Sequence, residues 1–195
     1  MKYLKTFENS SNYEVDIFTM EEASKFYWDF ADKNEKYRDI DLKDKIHYFH
    51  HFDSWSVSDN FRKHCRFIIA YNDIDILGIC EFAYYESSKN YAISYCSTND
   101  EYFQKGISKK LLETLFKYFS ETYPNETLNF SGYSPAGWYY LRKYILEFAE
   151  KYNVKIKEKP MEYPGKNGKQ DEEWFKLYNK SKEEIIKKYG SYDPY

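Results

Sequence analysis

The sequence predicts an α+β fold, in which a central mixed, mostly antiparallel sheet is flanked by helices. Apolar residues recur at three- and four-residue steps in three separate segments, the pattern of amphipathic helices. Between the first two of these segments, three apolar, β-prone runs follow one another with only tight turns between them. That arrangement predicts an antiparallel meander. No internal repeat or linker interrupts the chain, so we expect a single domain over residues 1–195.

Composition supports one sizeable globular domain. The chain has 195 residues, and a two-domain division would leave each half with a marginal core. Its apolar fraction is 42% and its aromatic fraction 22%, with 23 Tyr and 15 Phe. This much ring surface forms a substantial core, so the class of disordered proteins is excluded.

Charge and hydropathy exclude two kinds of partner. The formal net charge is −3 and no long basic stripe is present, so nonspecific nucleic-acid binding has little electrostatic support. No run of residues is apolar for long enough to span a membrane. The first residues, "MKYLKTFENSS", lack the apolar core of a secretory signal. We therefore expect a soluble cytoplasmic protein with no nucleic-acid or membrane partner.

The first helix has a clear start. After the alternating strand-like run "NYEVDIF", Thr19 and Glu22 have the spacing of a capping box. The helix that follows carries its apolar residues on one face: Met20, Ala23, Phe26, Tyr27, Phe30 and Ala31. A second helical piece is predicted near Leu42, and residues 53–65 are irregular or helical.

Three strands follow the helices. "RFIIAYND" and "DILGICEFAYYES" are joined by a tight turn, and "KNYAISYCST" follows after the turn "SSKN". Two of the three cysteines, Cys80 and Cys96, lie in these apolar runs. An odd number of cysteines and this placement predict buried free thiols.

The second half of the chain alternates helices with strands. A helix is predicted at about 107–120, with one apolar face made of Leu111, Leu112, Leu115, Phe116 and Phe119. The strand "TLNFSGYS" and a helix at about 136–152 come next, and the apolar face of that helix is Leu141, Ile145, Phe148 and Tyr152. "VKIKEK" and "WFKLYN" are strand candidates on either side of the loop "YPGKNGKQDEE". A short helix starting at Ser181 is predicted to end the chain.

A glycine stands where the helix at 107 begins, within "DEYFQKGISKKLL". A helix N-terminus has unpartnered backbone N–H groups and a partial positive charge. Glycine lets an anion approach this backbone closely, and Lys105, Lys109 and Lys110 are nearby. This pattern predicts a pyrophosphate site at Gly106. The alternative is that Gly106 only shapes a strand-to-helix turn.

The strand end "YCST", the glycine turn and the helix "KKLL" together resemble the acetyl-CoA-binding motif of the GNAT N-acetyltransferase superfamily. The usual motif is Arg or Gln, two residues, Gly, one residue, then Gly or Ala. Here Phe103 occupies the Arg/Gln position and Ser108 the second small position. Gln104 occupies the Arg/Gln position if the motif shifts by one residue. The resemblance spans about residues 66–152 and implies a GNAT-like fold.

The resemblance also implies a set of acetyl-CoA-binding residues. The end of the strand would pair its backbone with the pantetheine arm and hold the thioester oxyanion. The glycine turn would hold the pyrophosphate. These residues are Cys96, Ser97, Thr98, Gln104, Lys105, Gly106, Ile107, Ser108 and Lys109.

Two catalytic residues follow from the same resemblance. Tyr140 would protonate the leaving thiolate, and Tyr139 is the alternative for this role. Ordinary aromatic packing is the alternative for both tyrosines. Glu81 would be the general base, and an ordinary solvent-facing Glu is the alternative for it. His64 and Glu86 are weaker candidates for the base.

The function implied is transfer of an acetyl group from acetyl-CoA to a primary amine, directly and in a ternary complex. The acceptor is a small molecule or a protein amine, and an oligomer is possible. The alternative is a non-catalytic GNAT-like scaffold that binds a protein partner or a small molecule. No metal is predicted, because the histidines of "HYFHHF" have no acidic or thiolate ligand at suitable spacing.

Overall fold

The structure is a computed structural model that describes residues 13–37, 58–102, 105–130 and 141–158. Helices and strands follow in the predicted α+β order: β1 (Glu14–Phe18), α1 (Met20–Lys33), α2 (Asp59–His64), β2 (Arg66–Tyr71), β3 (Ile76–Tyr85), β4 (Asn90–Thr98), α3 (Ile107–Thr122), β5 (Thr127–Phe130), α4 (Arg142–Lys151) and β6 (Lys155–Glu158). Single 3-10 turns follow α1, at Glu35–Tyr37, and β4, at Asp100–Tyr102.

The six strands form one mixed sheet in the order of the chain, from β1 to β6. β1 and β2 are antiparallel, whereas β4 pairs with β5 and β5 with β6 in parallel. The connections at 72–75 and 86–89 have only four residues each. Since parallel neighbours need a crossover of about a dozen residues, β2, β3 and β4 run antiparallel. The predicted meander is confirmed.

Contacts divide the chain into two compact units. The first contains residues 1–81 and 95–111, and the second contains 82–94 and 112–195. The elements β3, β4 and α3 each contribute residues to both units. The single domain over 1–195 stays a prediction.

In the first unit, α1 starts at the predicted capping box. The Thr19 hydroxyl accepts a hydrogen bond from the Glu22 N–H at 3.2 Å, and the Glu22 carboxylate accepts one from the Thr19 N–H at 2.8 Å. Phe26 packs against Phe18 and Tyr71, with ring centroids 5.0 and 4.7 Å away. The amphipathic face predicted from the sequence therefore lies against the sheet.

In the second unit, the core is an aromatic cluster. The four residues of the predicted apolar face of α3 that belong to this unit are buried: Leu112, Leu115, Phe116 and Phe119. The fifth, Leu111, is buried in the first unit, and the helix extends to Thr122. The Tyr91 ring lies 5.5 Å from Phe119 and 4.4 Å from Tyr123 between centroids. Phe116 packs against Phe130 of β5 and Phe148 of α4. The high aromatic content thus supplies core packing.

A buried ion pair fixes the start of α4 in the second unit. Arg142 donates to both carboxylate oxygens of Glu158, at 3.0 and 2.7 Å, and the two side chains are 1% and 2% exposed. The two charges thus form a bidentate pair, a geometry in which charged hydrogen bonds are strong.

Some predictions lie outside the described residues: the helical piece near Leu42, the histidines of "HYFHHF", the ends of two elements within 131–140, and everything after Glu158. In the described part, no helix has the length and apolar character needed to cross a membrane. The prediction of buried thiols holds for Cys80 and is wrong for Cys96, which is half-buried. The reason is that residues 95–98 of β4 are all only partly covered.

Candidate functional site

The end of β4 and the first turn of α3 are joined by a hydrogen bond between two hydroxyl groups, those of Thr98 and Ser108. Both residues were predicted from the sequence to bind the cofactor, and both are half-buried. The chain that connects them contains Gly106. The structure therefore brings together the strand end and the helix start that the sequence predicts as one site.

Gly106 has a backbone conformation that favours glycine. Its φ is +79°, in the left-handed region, and among the described residues no atom beyond Gly106 and its two chain neighbours lies within 4 Å of the position that a Cβ would take. Its carbonyl accepts from the Lys110 N–H at 3.0 Å, which starts α3. The first N–H groups of a helix have no partner within it. The turn thus combines open space with backbone donors, as an anion site requires.

Gly78 allows β4 and α3 to approach β3. A Cβ at Gly78 would lie 2.8 Å from the Ser97 carbonyl oxygen and 3.0 Å from a methyl group of Ile107. Any side chain here would displace the strand end or the helix start. The sequence reasoning missed this residue, although an isolated glycine within a strand is a known signal of close backbone approach.

The 3-10 turn after β4 is anchored to the start of β3. The Asn99 N–H donates to the Leu77 carbonyl at 2.8 Å, and the Asn99 side chain accepts from the Glu101 N–H at 3.1 Å. The Tyr102 hydroxyl donates to Asp75 at 2.6 Å. This hydrogen bond raises the pKa of the Tyr102 hydroxyl. The sequence reasoning missed Asn99 and Tyr102 as site residues.

The other residues predicted for the glycine turn differ in their exposure to solvent. Lys105 and Lys109 are exposed, and the Lys105 ammonium lies 4.6 Å from the centre of the Tyr102 ring. Ile107 is 2% exposed, so its side chain belongs to the core. Gln104 lies outside the described residues.

The two strand cysteines contact each other. A hydrogen bond with Cys96, together with complete burial, raises the pKa of the Cys80 thiol. Burial also raises the pKa of Cys65. Cys80 and Cys65 are therefore protonated thiols at neutral pH and poor nucleophiles.

Glu81 is buried in the middle of β3, with 1% exposure, and its Oε2 atom is closed off from solvent. The alternative that it faces solvent is therefore wrong. Of the weaker base candidates, Glu86 is exposed in the turn after β3. Burial and the nearby Lys63 and Arg66 lower the pKa of His64. Tyr139 and Tyr140 lie outside the described residues.

Among the residues that the structure describes, no group of three or more His, Cys, Asp or Glu side chains is arranged to hold a metal ion.

Comparison with known proteins identifies the family. The model of the acetyltransferase (GNAT) family matches residues 16–127, more than half of the chain. A solved aminoglycoside acetyltransferase from an uncultured soil metagenomic sample is similar at 13% identity, with a TM-score of 0.35, over 86% of this chain and 89% of its own. An integron cassette protein from the mobile metagenome of V. cholerae is similar at 14% identity, with a TM-score of 0.40, over 86% and 99%. Curated proteins gave no match. The chain belongs to the acetyltransferase (GNAT) family.

Proposed function

We propose that the protein is an N-acetyltransferase that moves an acetyl group from acetyl-CoA to a primary amine, directly and within a ternary complex. The observation that carries this proposal is the glycine turn. Gly106 directly precedes α3 and has open space in front of it among the described residues. The Thr98–Ser108 hydrogen bond joins the first turn of α3 to the end of β4. Membership of the acetyltransferase (GNAT) family supports the same function. We also propose that residues 1–195 form a single GNAT-like acetyltransferase domain.

The proposed acetyl-CoA site uses the two sides of this turn. The backbone of 104–109 holds the pyrophosphate at the N-terminus of α3, and the exposed Lys105 and Lys109 add positive charge. Residues 96–98 pair with the pantetheine arm as an added strand would. Their N–H groups stabilise the negative charge that develops on the thioester oxygen during transfer.

In the proposed reaction a carbon–nitrogen bond forms and a carbon–sulfur bond breaks. The neutral amine nitrogen attacks the thioester carbon, and the oxyanion collapses to expel the CoA thiolate. The nitrogen loses a proton to give the amide, and the thiolate gains one to give CoA. A lysine-type amine has a pKa of about 10.4, so a base must first accept its proton. We assign this role to Glu81, and we assign protonation of the departing thiolate to Tyr140.

The assignment of Glu81 predicts a change in pH dependence. If its carboxylate accepts the acceptor's proton, the rate falls at low pH as that carboxylate becomes protonated. In Glu81→Gln we expect a lower rate whose acid limb moves to higher pH, toward the ionisation of the acceptor amine at about 10.4, measured as kcat/KM for the acceptor against pH. An unchanged acid limb in a folded Glu81→Gln variant would assign the base to another group.

The assignment of the pyrophosphate to Gly106 predicts a loss of affinity in Gly106→Glu. The carboxylate would enter the open space in front of the turn and repel the phosphates. A hydrogen bond to a charged group is worth about 1.5–3 kcal/mol, so we expect affinity for acetyl-CoA to fall by roughly 10- to 100-fold. Isothermal calorimetry measures this change.

Gly106→Gln is the matched control for that variant. It has the same size and the same backbone strain at positive φ, but it carries no charge. We expect it to bind acetyl-CoA more tightly than Gly106→Glu does. Unchanged affinity in a folded Gly106→Glu variant would mean that the anion site lies elsewhere.

A second candidate function, binding of a small molecule without catalysis, is favoured by a cavity in the second unit. Its volume is about 400 Å³, and its polar lining is Tyr85, Ser88, Asn90, Ser94, Asn129 and Lys157. Among the described residues that line it, Lys157 is the one charged side chain, which suits a ligand with a negative group. Turnover separates the two functions, because a scaffold would release no free thiol from acetyl-CoA.

A further inference from the structure

We propose that Tyr102 anchors the glycine turn to the buried carboxylate of Asp75, and is thereby a positioning residue for the acetyl-CoA pyrophosphate. This inference rests on the proposed function and adds to it a residue outside the family motif. Tyr102 ends the 3-10 turn that leads into Lys105 and Gly106. Its position along the chain therefore lets one side chain control where the turn lies.

The anchor is a strong hydrogen bond to a fixed partner. The Tyr102 hydroxyl donates to Asp75 Oδ2 at 2.6 Å, a short distance typical of donation to a carboxylate. Asp75 is 7% exposed. Its own backbone is held in the turn between β2 and β3, where the Asp75 N–H donates to the Asn72 side chain at 2.7 Å and its carbonyl accepts from the Asn72 N–H at 2.9 Å. The backbone that carries the Asp75 carboxylate is therefore held by that turn.

Tyr102 also orients a cation of the glycine turn. The Lys105 ammonium lies 4.6 Å from the centre of the Tyr102 ring, within the range of a cation–π interaction. The Lys105 N–H also donates to the Tyr102 carbonyl at 3.3 Å. Through its hydroxyl, ring and backbone, Tyr102 thus links the buried Asp75 to the lysine that precedes Gly106.

Tyr37 offers a matched control, because it binds the other oxygen of the same carboxylate. Its hydroxyl donates to Asp75 Oδ1 at 3.0 Å and accepts from the Ile76 N–H at 3.0 Å. It belongs to the 3-10 turn after α1 and not to the glycine turn. Tyr37 is 5% exposed, so loss of its hydroxyl leaves a buried N–H without this acceptor.

The test compares Tyr102→Phe with Tyr37→Phe. Both changes keep the ring and remove one hydroxyl from Asp75. For Tyr102→Phe we expect the dissociation constant for acetyl-CoA, measured by calorimetry, to rise roughly three- to tenfold, the worth of one hydrogen bond. The rate at saturating acetyl-CoA should stay at the wild-type value. For Tyr37→Phe we expect a lower melting temperature with an unchanged dissociation constant.

Equal dissociation constants for the wild type and Tyr102→Phe would overturn the inference, as would an equal rise in Tyr37→Phe. In both cases the wild type still binds acetyl-CoA, so the proposed function survives. A wild-type protein that binds no acetyl-CoA would instead overturn the proposed function, and this inference with it.

Discussion

Replacement of Tyr140 by phenylalanine is expected to lower turnover at least roughly a hundredfold, with the affinity for acetyl-CoA little changed. The substitution keeps the aromatic ring but removes the hydroxyl proton that we assign to the departing thiolate. General acid catalysis typically contributes about 10²–10⁴-fold to a rate. Steady-state measurement of kcat, together with calorimetry of acetyl-CoA binding, separates a loss of proton donation from a loss of binding.

Tyr139→Phe is the matched control for Tyr140→Phe, since the two residues are adjacent in the sequence and each variant loses the same hydroxyl group. We expect Tyr139→Phe to keep near wild-type turnover. The reverse result, a disabled Tyr139→Phe beside an active Tyr140→Phe, would assign the proton to Tyr139. If both variants were active, neither tyrosine would be the acid, and the thiolate would take its proton from water.

Of the substitutions proposed, replacement of Arg142 by methionine is expected to lower the free energy of unfolding the most. Its guanidinium is bidentate to Glu158, and both side chains are almost fully buried. Without Arg142, the Glu158 carboxylate would remain buried with its main counter-charge removed. Breaking a buried pair in this way typically costs about 3–5 kcal/mol. Urea unfolding measures the loss, provided that the slope with denaturant is unchanged.

Two controls test the cause of that loss. In the double variant Arg142→Met, Glu158→Met, neither charge of this pair remains, so we expect much of the stability to return. In Lys151→Met, on the same helix, the pair lost is with Glu113 and the lysine side chain is 52% exposed. Exposed pairs contribute little, so we expect almost no change. A loss in Arg142→Met no larger than in Lys151→Met would contradict this account of the ion pair.

Features that depend on neighbouring residues were predictable from the sequence. The capping box at Thr19 requires only a hydroxyl and a carboxylate three residues apart, and the buried face of α3 follows from helical spacing alone. The turn at Gly106 was predictable for the same reason, since a turn before a helix is a local feature. The positive φ and the open space in front of it were added by the structure.

Features that depend on distant pairs were not predictable. Tyr102 and Asp75 are 27 positions apart, and nothing in either local pattern indicates that their side chains meet. Glu81 shows a different difficulty. A polar residue in an alternating strand suggests a solvent-facing side chain, but residues 76–83 of β3 are all buried. Alternation gives no information about exposure in a central strand that is covered on both faces.

The central claim, acetyl transfer to an amine, is tested most directly by the release of free thiol from acetyl-CoA. The protein would be incubated with acetyl-CoA and a panel of polyamines, aminoglycosides, amino acids and lysine peptides. We predict thiol release that depends on one class of acceptor and falls sharply in Gly106→Glu. No thiol release with any acceptor, from a folded wild-type protein that also binds no acetyl-CoA, would contradict the claim.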